Sequence, residues 1–293
     1  MRKGRLISRV IKRANIGLKD AVPAGSVDII GDIAILKIPE VLDENESELA
    51  EILLEEAPYV KVVYRQTGPV SGEYRLRDLK WLAGEKRSTT VHREHGCEIE
   101  ADLEKDYFSP RLAHERTRIA RLVKAEEDNS GSGEVIINMF AGVGTFSLRI
   151  AKETKLSKIY SIDKNHDAFL RMFKNVMANR MLGRVVCILG ETKQIVDQIL
   201  TLRADRVLMP LPEKSLEYLE TALSTLKQEG GMIHFQTFIH AGKEEDPVDV
   251  SRARLHVSLQ GYPWKFMIED EKVIRTVGPR WYQVAHDLKV IPL

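Results

Sequence analysis

The chain has 293 residues, 43% of them hydrophobic, with 44 Lys and Arg against 43 Asp and Glu. That supplies apolar material for two domains or one large one, and the near-neutral balance excludes an overall charge that would by itself point to a polyanionic partner. No apolar run approaches the ~18 residues of a membrane span, and two cysteines, Cys97 and Cys187, are too few for a disulfide framework or a thiolate metal site, so a soluble, metal-free protein of a reducing, cytoplasmic compartment is expected.

The first twenty residues carry Arg2, Lys3, Arg5, Arg9, Lys12, Arg13 and Lys19 against Asp20 alone. Three readings fit: an import presequence, for which the segment is short and poor in serine; a basic helix lying along a phosphate backbone; or a solvated helix face. Next, "VDIIGDIAILKIPE" predicts a hairpin turning at Gly31 and Asp32, with its second strand ending at Pro39. "ENESELAEILLEEA" predicts an amphipathic helix with an acidic outer face. "YVKVVYRQTG" reads as a strand, and "HGCEIEADL" as another after a polar stretch from Lys86 to Glu94. Residues 1–107 are therefore expected to form a small α+β unit.

"SPRLAHERTRIARLVKAEE" has helical spacing, with Leu112, Ile119, Leu122 and Val123 on one predicted buried stripe and Pro110 suited to the start. After the break "DNSGSG", strands and helices alternate from "EVIINMF" to "GGMIHFQTF". Repeated β-α units predict a mainly parallel sheet covered on both faces, so residues 108–293 form an α/β domain.

"EVIINMFAGVGTFS" places Gly142 and Gly144 between a buried strand and a helix, where backbone must approach a ligand closely. The plain alternative is a tight turn without a ligand. Asp163 ends the second strand, "KIYSID", where a carboxylate can accept from both ribose hydroxyls of a nucleoside. Ser147 stands where a dinucleotide fingerprint has its third glycine, and no Lys-Ser/Thr follows as in a P-loop. With Phe140 able to pack near the ligand, S-adenosylmethionine is favoured over NAD. Glu191, in "LGET" after the third strand, is a candidate to face the adenine or else a surface acid.

With "SPRLAHERTRIA", "NMFAGVGTFSLRIAK", "SIDKNHDAFLRMFKNVMANR", "DRVLMPLPEKSLEYLETAL" and "GGMIHF" in this order, the chain resembles the archaeal and eukaryotic tRNA guanosine-37 N1-methyltransferase family, which includes the related aminocarboxypropyl transferase of wybutosine synthesis. The resemblance covers about residues 25 to 293. It implies a class I (Rossmann-like) methyltransferase domain preceded by a small α+β domain, S-adenosylmethionine as cofactor and the tRNA anticodon loop as partner, with no membrane involved. A monomer is expected.

The family's "SPRLxxER" element matches at Ser109, Pro110, Arg111, Leu112, Glu115 and Arg116. The resemblance implies Glu115 as the general base that takes the N1 proton of guanine. Arg75, in "GEYRLR", matches an arginine suited to the charge that grows on O6, and Arg111 and Arg116 are expected on phosphate or ribose. Without the resemblance, Glu115 reads as half of a surface ion pair, and Arg75 and Arg77 as a solvated edge-strand face. The methyltransferases have Asn-Leu-Pro after the fourth strand, whereas this chain has Pro210, Leu211 and Pro212, which leaves shape and the carbonyls of Met209 or Pro210 to line a base pocket. That departure points partly toward aminocarboxypropyl transfer, while the complete "SPRLxxER" is closer to methyl transfer. Asn138 replaces a usual aspartate of the first strand, removing one anion near the sulfonium. From another class, a noncatalytic RNA-binding module is the alternative.

Overall fold

A computed structural model describes residues 3–16 and 25–293. It divides into two compact units, Met1–Arg111 and Leu112–Leu293, a division a few residues beyond the expected one. No helix among the described residues is long and apolar enough to cross a membrane.

In the first unit the elements are α1 (Lys3–Arg13), β1 (Ser26–Ile30), β2 (Ile33–Lys37), α2 (Glu46–Glu56), β3 (Val62–Gln66), β4 (Leu79–Gly84), β5 (Thr89–Glu94) and β6 (Cys97–Asp102). The first four strands form one sheet in the order β1-β2-β3-β4. The expected hairpin is present: Ile30 pairs with Ile33, and Gly31 sits at φ +55° in the two-residue turn, a conformation glycine adopts without a Cβ penalty. β4 and β5 were not legible in the sequence, because both mix charged and apolar residues without clean alternation; β5 pairs with β6 in a separate two-stranded ribbon. Arg87 and Thr90 bind the Asp32 carboxylate, and His92 Nδ1 accepts from Gly31 N at 3.1 Å, tying the ribbon to the β1–β2 turn.

Helix α1 buries its apolar side in the first unit. Its residues Leu6, Ile7, Val10 and Ile11 join the core of α2 and the sheet. Arg9 pairs with Glu56 at 3.7 Å, and Arg13 pairs with Glu55 and Glu56. The acidic outer face of α2 thus meets the basic side of α1. Arg2 and Lys19 lie outside the described residues.

The second unit comprises α3 (Ala113–Ser130), β7 (Val135–Asn138), α4 (Thr145–Glu153), β8 (Lys158–Asp163), α5 (His166–Ala178), β9 (Val185–Leu189), α6 (Thr192–Ile195), β10 (Arg206–Met209), α7 (Leu219–Thr225), β11 (Gly231–His240), α8 (Pro247–Leu259), β12 (Trp264–Gly278) and β13 (Trp281–Pro292). One seven-stranded sheet runs in the order β12-β13-β11-β10-β7-β8-β9. Strands β7 to β11 pair in parallel, and β13 is antiparallel to β11 and to β12. The closing hairpin was absent from the sequence reading: β12 alternates only weakly and carries three register shifts.

Helix α3 starts near the expected point and ends at Gly131, φ +69°, a left-handed C-cap. Ile119 and Val123 are buried as expected, but Leu122 is 39% exposed, and the stripe is completed by Glu115, Arg116 and Glu127 instead. Glu127 is buried because its carboxylate accepts from the amides of Lys155, Leu156 and Ser157 at 2.8, 3.0 and 3.0 Å, which fixes the turn before β8.

Candidate active site

In the sheet of the second unit, β7 lies between β8 and β10, so the order in which the chain adds its parallel strands reverses at β7. Ligands of open parallel sheets bind at the carboxyl edge beside such a reversal. The loops after β7, β8, β9 and β10 all leave from that edge, and they carry Gly142 and Gly144, Asp163, Glu191, and Pro210 to Pro212.

The glycine loop is built by backbone geometry. Gly142 and Gly144 have φ of +55° and +89°, Gly144 N donates to Ala141 O at 2.9 Å, and Ala141 N donates to Ile162 O at 2.8 Å. A Cβ on Gly144 would stand 3.1 Å from Met172 Cγ, so a side chain there would be strained by the left-handed backbone and would press on Met172. Asp163 closes the arrangement: Gly142 N donates to Oδ2 at 2.6 Å and Asn165 N donates to Oδ1 at 2.9 Å. Burial pushes the Asp163 carboxyl up, against the lowering effect of those two amides. Each of its oxygens retains acceptor capacity beyond one amide.

Phe140 packs edge-on against Tyr218, centroids 4.9 Å apart at 86°. Glu191 is less free than expected. The Tyr218 hydroxyl donates to its Oε1, and Lys164 Nζ lies 3.6 Å from its Oε2. Tyr218, which the sequence reading passed over as part of a helix, therefore links the loops after β7 and β9. Nothing local marks it; only the strand order brings it there. This arrangement fits a nucleoside cofactor: half-buried acceptor oxygens for ribose hydroxyls at Asp163, and an aromatic wall at Phe140 and Tyr218.

Asn138, at the end of β7, leaves its buried Oδ1 without a hydrogen-bond partner. It is wholly buried, and its Nδ2 donates to Ser147 Oγ at 3.1 Å, which also receives the Ser161 hydroxyl at 2.7 Å. After β10, Pro210 and Leu211 are half-buried and Pro212 is buried. The carbonyls near the corner are turned toward the protein: Ser215 Oγ lies 3.4 Å from Met209 O and donates to Leu211 O at 2.9 Å. The Met209 carbonyl is thus a poorer lining group than the sequence suggested.

The "SPRLxxER" element straddles the division between the units. Arg111 is in the first unit, where its Nε donates to Asp28 Oδ1 at 2.9 Å while the side chain remains 43% exposed. Glu115 is in the second unit and is buried, not the surface residue of the plain reading. Its carboxylate is held by Arg118, Nε to Oε2 at 2.9 Å and Nη2 to Oε1 at 2.8 Å. Arg116 corrects an expectation, because at 1% exposure it is among the largest fully buried side chains and cannot present a surface cation to a phosphate.

Arg75 belongs to the first unit and does not lie on an extended edge. Ser71 and Leu76 bridge across a tight turn, and Arg75 sits in it at φ +56° with its guanidinium 5.1 Å from the Tyr107 ring centroid. Arg77 is buried and donates to Gln66 Oε1 at 3.0 Å and Phe108 O at 2.9 Å. It braces the chain just before Ser109. No cluster of three or more His, Cys, Asp or Glu poised for a metal occurs among the described residues.

Comparison with known proteins agrees with this geometry. Residues 90–258 match the family profile described as the TRM5/TYW2 methyltransferase domain, and residues 18–88 match that of the TYW2 N-terminal domain. The chain is 38% identical over 265 residues to tRNA (guanine(37)-N(1))-methyltransferase Trm5b of Pyrococcus abyssi, covering 90% of this chain and 74% of that one. It is 36% identical over 264 residues to tRNA 4-demethylwyosine(37)-methyltransferase Taw21 of Saccharolobus solfataricus, covering 90% and 93%. The crystal structure of TYW2 from P. horikoshii in complex with MeSAdo superposes with a TM-score of 0.74 at 26% identity, covering 97% of this chain and 99% of that one. By a profile that spans more than half of its length and by relatives aligned over nine-tenths of it, the chain belongs to the TRM5/TYW2 methyltransferase family.

Proposed function

We propose that this chain is an S-adenosylmethionine-dependent tRNA methyltransferase acting on the base at position 37 of the anticodon loop, at N1 of guanosine or on a derivative of it. The observation that carries the reading is the Asp163 carboxylate accepting from the Gly142 amide at 2.6 Å at the carboxyl edge of the sheet, where strand order reverses. That carboxylate can accept from a ribose, Phe140 and Tyr218 can flank an adenine, and the glycine loop lets backbone approach the amino-acid part of the cofactor. The sulfonium, when bound, supplies an electrophilic methyl carbon.

This chain's own residues supply the rest. Glu115 accepts the proton that the base nitrogen loses, Arg75 offers a guanidinium to the charge that develops on the exocyclic oxygen, and Arg111 meets a phosphate with the face that Asp28 does not occupy.

One observation favours a second reading, aminocarboxypropyl transfer to a tricyclic guanosine derivative. Pro210 stands where the methyltransferases of the family have asparagine, so no side-chain amide holds the edge of guanine, and residues 18–88 match the TYW2 N-terminal profile. Mass spectrometry of tRNA after incubation with S-adenosylmethionine decides between them. A gain of one methyl on the position-37 nucleoside supports the first reading, and a gain of the aminocarboxypropyl group replaces it with the second. Tight tRNA binding with no calorimetric affinity for S-adenosylmethionine overturns both in favour of a noncatalytic module.

A further inference from the structure

We infer that Arg118 is a positioning residue for Glu115, an arm that orients the carboxylate from a scaffold of buried ion pairs anchored on three strands. The inference rests on the reading of Glu115 as proton acceptor. Glu115 has no exposed surface, and a charge in that position requires a paired cation. Arg118 meets both of its oxygens with a two-pronged grip, at 2.9 and 2.8 Å, which fixes the plane of the carboxylate as well as its place.

The arm is itself held. Arg118 Nη2 donates to Asp287 Oδ1 at 3.0 Å and Nη1 to Asp287 Oδ2 at 2.5 Å. Behind Asp287 stands His234, whose Nδ1 is 2.7 Å from Asp287 Oδ1 and whose Nε2 is 2.6 Å from Arg206 Nη1. A guanidinium only donates, so Nε2 must accept and Nδ1 must carry the proton given to Asp287. The ring is therefore neutral, in agreement with burial pushing its pKa down. Arg206 is anchored by Glu134 at 2.7 and 2.9 Å. Asp287, His234 and Arg206 are 3%, 3% and 4% exposed.

Buried ion pairs contribute little stability compared with apolar packing of the same volume, so the chain of pairs is better accounted for by what it holds in place. Its layout also suits a proton acceptor. When the base nitrogen gives its proton to Glu115 and that carboxylate becomes neutral, Arg118 still has Asp287, and Asp270 of β12 lies 3.5 Å from its Nη1. The charged groups facing Glu115 along the arm are thus Arg118 of its own helix, Asp287 of β13 and Asp270 of β12, with His234 and Arg206 behind.

The test is the pH dependence of single-turnover transfer, using tRNA isolated from cells that lack the enzyme. R118Q removes both the cation beside a buried carboxylate and the fork that holds its plane, so the acid limb should move to higher pH and the plateau should fall at least as far as in R118K. R118K keeps the charge without the fork and should leave the limb near its wild-type position with a lower plateau. A rate lowered equally at every pH in R118Q, with a stationary limb, overturns the inference and leaves Arg118 a structural residue. If R118Q does not fold, D287N serves, since Arg118 then has Glu115 as its main anion and the limb should move down; a stationary limb overturns the inference again. Carbon-13 NMR of labelled glutamate, with the Glu115 signal assigned by its loss in E115Q, reads the same shifts without substrate. E115Q at the wild-type rate would sink the base reading itself, whereas slow E115Q with a stationary limb in R118Q sinks only the arm.

Discussion

Asp163 and Gly142 are joined by a 2.6 Å hydrogen bond from the loop amide to the strand-end carboxylate, so the residue assigned to the cofactor ribose also sets the shape of the glycine loop. Asp163→Ala should then weaken S-adenosylmethionine binding by more than the lost ribose contacts, each ~1.5 to 3 kcal/mol, because the loop is released as well. Asp163→Asn keeps an acceptor and should fall between wild type and alanine. Calorimetric affinities equal to wild type in both variants would remove Asp163 from the site.

Acid should destabilise the chain in two steps of the same sign. Burial lowers the pKa of His234 and of His286 below the ordinary 6.5. As pH falls through 6.5, the unfolded chain takes up protons that the folded chain refuses, and stability drops, by up to ~1.4 kcal/mol per pH unit for each ring. Asp287 is held below the ordinary 3.8 by its His234 and Arg118 partners against the opposing effect of burial, so its contribution is present above that value and lost as pH falls beneath it. Denaturant unfolding at pH 7.5 and 5.5 checks the first step. His286→Gln should flatten the slope between them, and an unchanged slope would mean that the ring takes up its proton alike in the folded and unfolded chain.

The charge of α1 should matter to its own unit more than to RNA. Arg9 and Arg13 are paired with Glu55 and Glu56 across to α2, so Arg9→Gln with Arg13→Gln should cost roughly 1 kcal/mol or less per pair. The slope of log tRNA affinity against log salt should stay within one unit of wild type. Deleting the whole segment would instead remove Leu6, Ile7, Val10 and Ile11 from the core of the unit. A slope that drops by two or more in the double variant would restore the helix to the RNA-binding surface.

Pro210→Asn should raise methyl transfer to guanosine 37 if the corner after β10 faces the base, since it restores an amide edge where the family has one. The loss of a fixed φ should cost under ~1 kcal/mol. If guanosine methylation stays undetectable in the variant while wild type transfers the larger group, the pocket is built for a bulkier base.

Local chemistry determined much of this chain by itself. Gly31 with Asp32 made a hairpin legible because glycine supplies the positive φ that a two-residue hairpin turn favours. Gly142, Gly144 and Asp163 were legible because a strand, a glycine turn and a strand-end acid recur at fixed separations, whatever surrounds them. The tertiary structure decided what depends on neighbours far apart in sequence. Glu115 is the same letter in an exposed or a buried ion pair, and only β13 and β11, bringing Asp287 and His234 behind Arg118, make it a buried, oriented carboxylate. Arg116 read as a cation for phosphate until packing placed it at 1% exposure. Arg9 and Arg13 read as free charge until α2 supplied their partners, and β12 stayed hidden because an edge strand with register shifts has no single period to show. Periodicity and turn chemistry are properties of a few consecutive residues, whereas burial and ion pairing are set by whichever element the sheet order brings alongside.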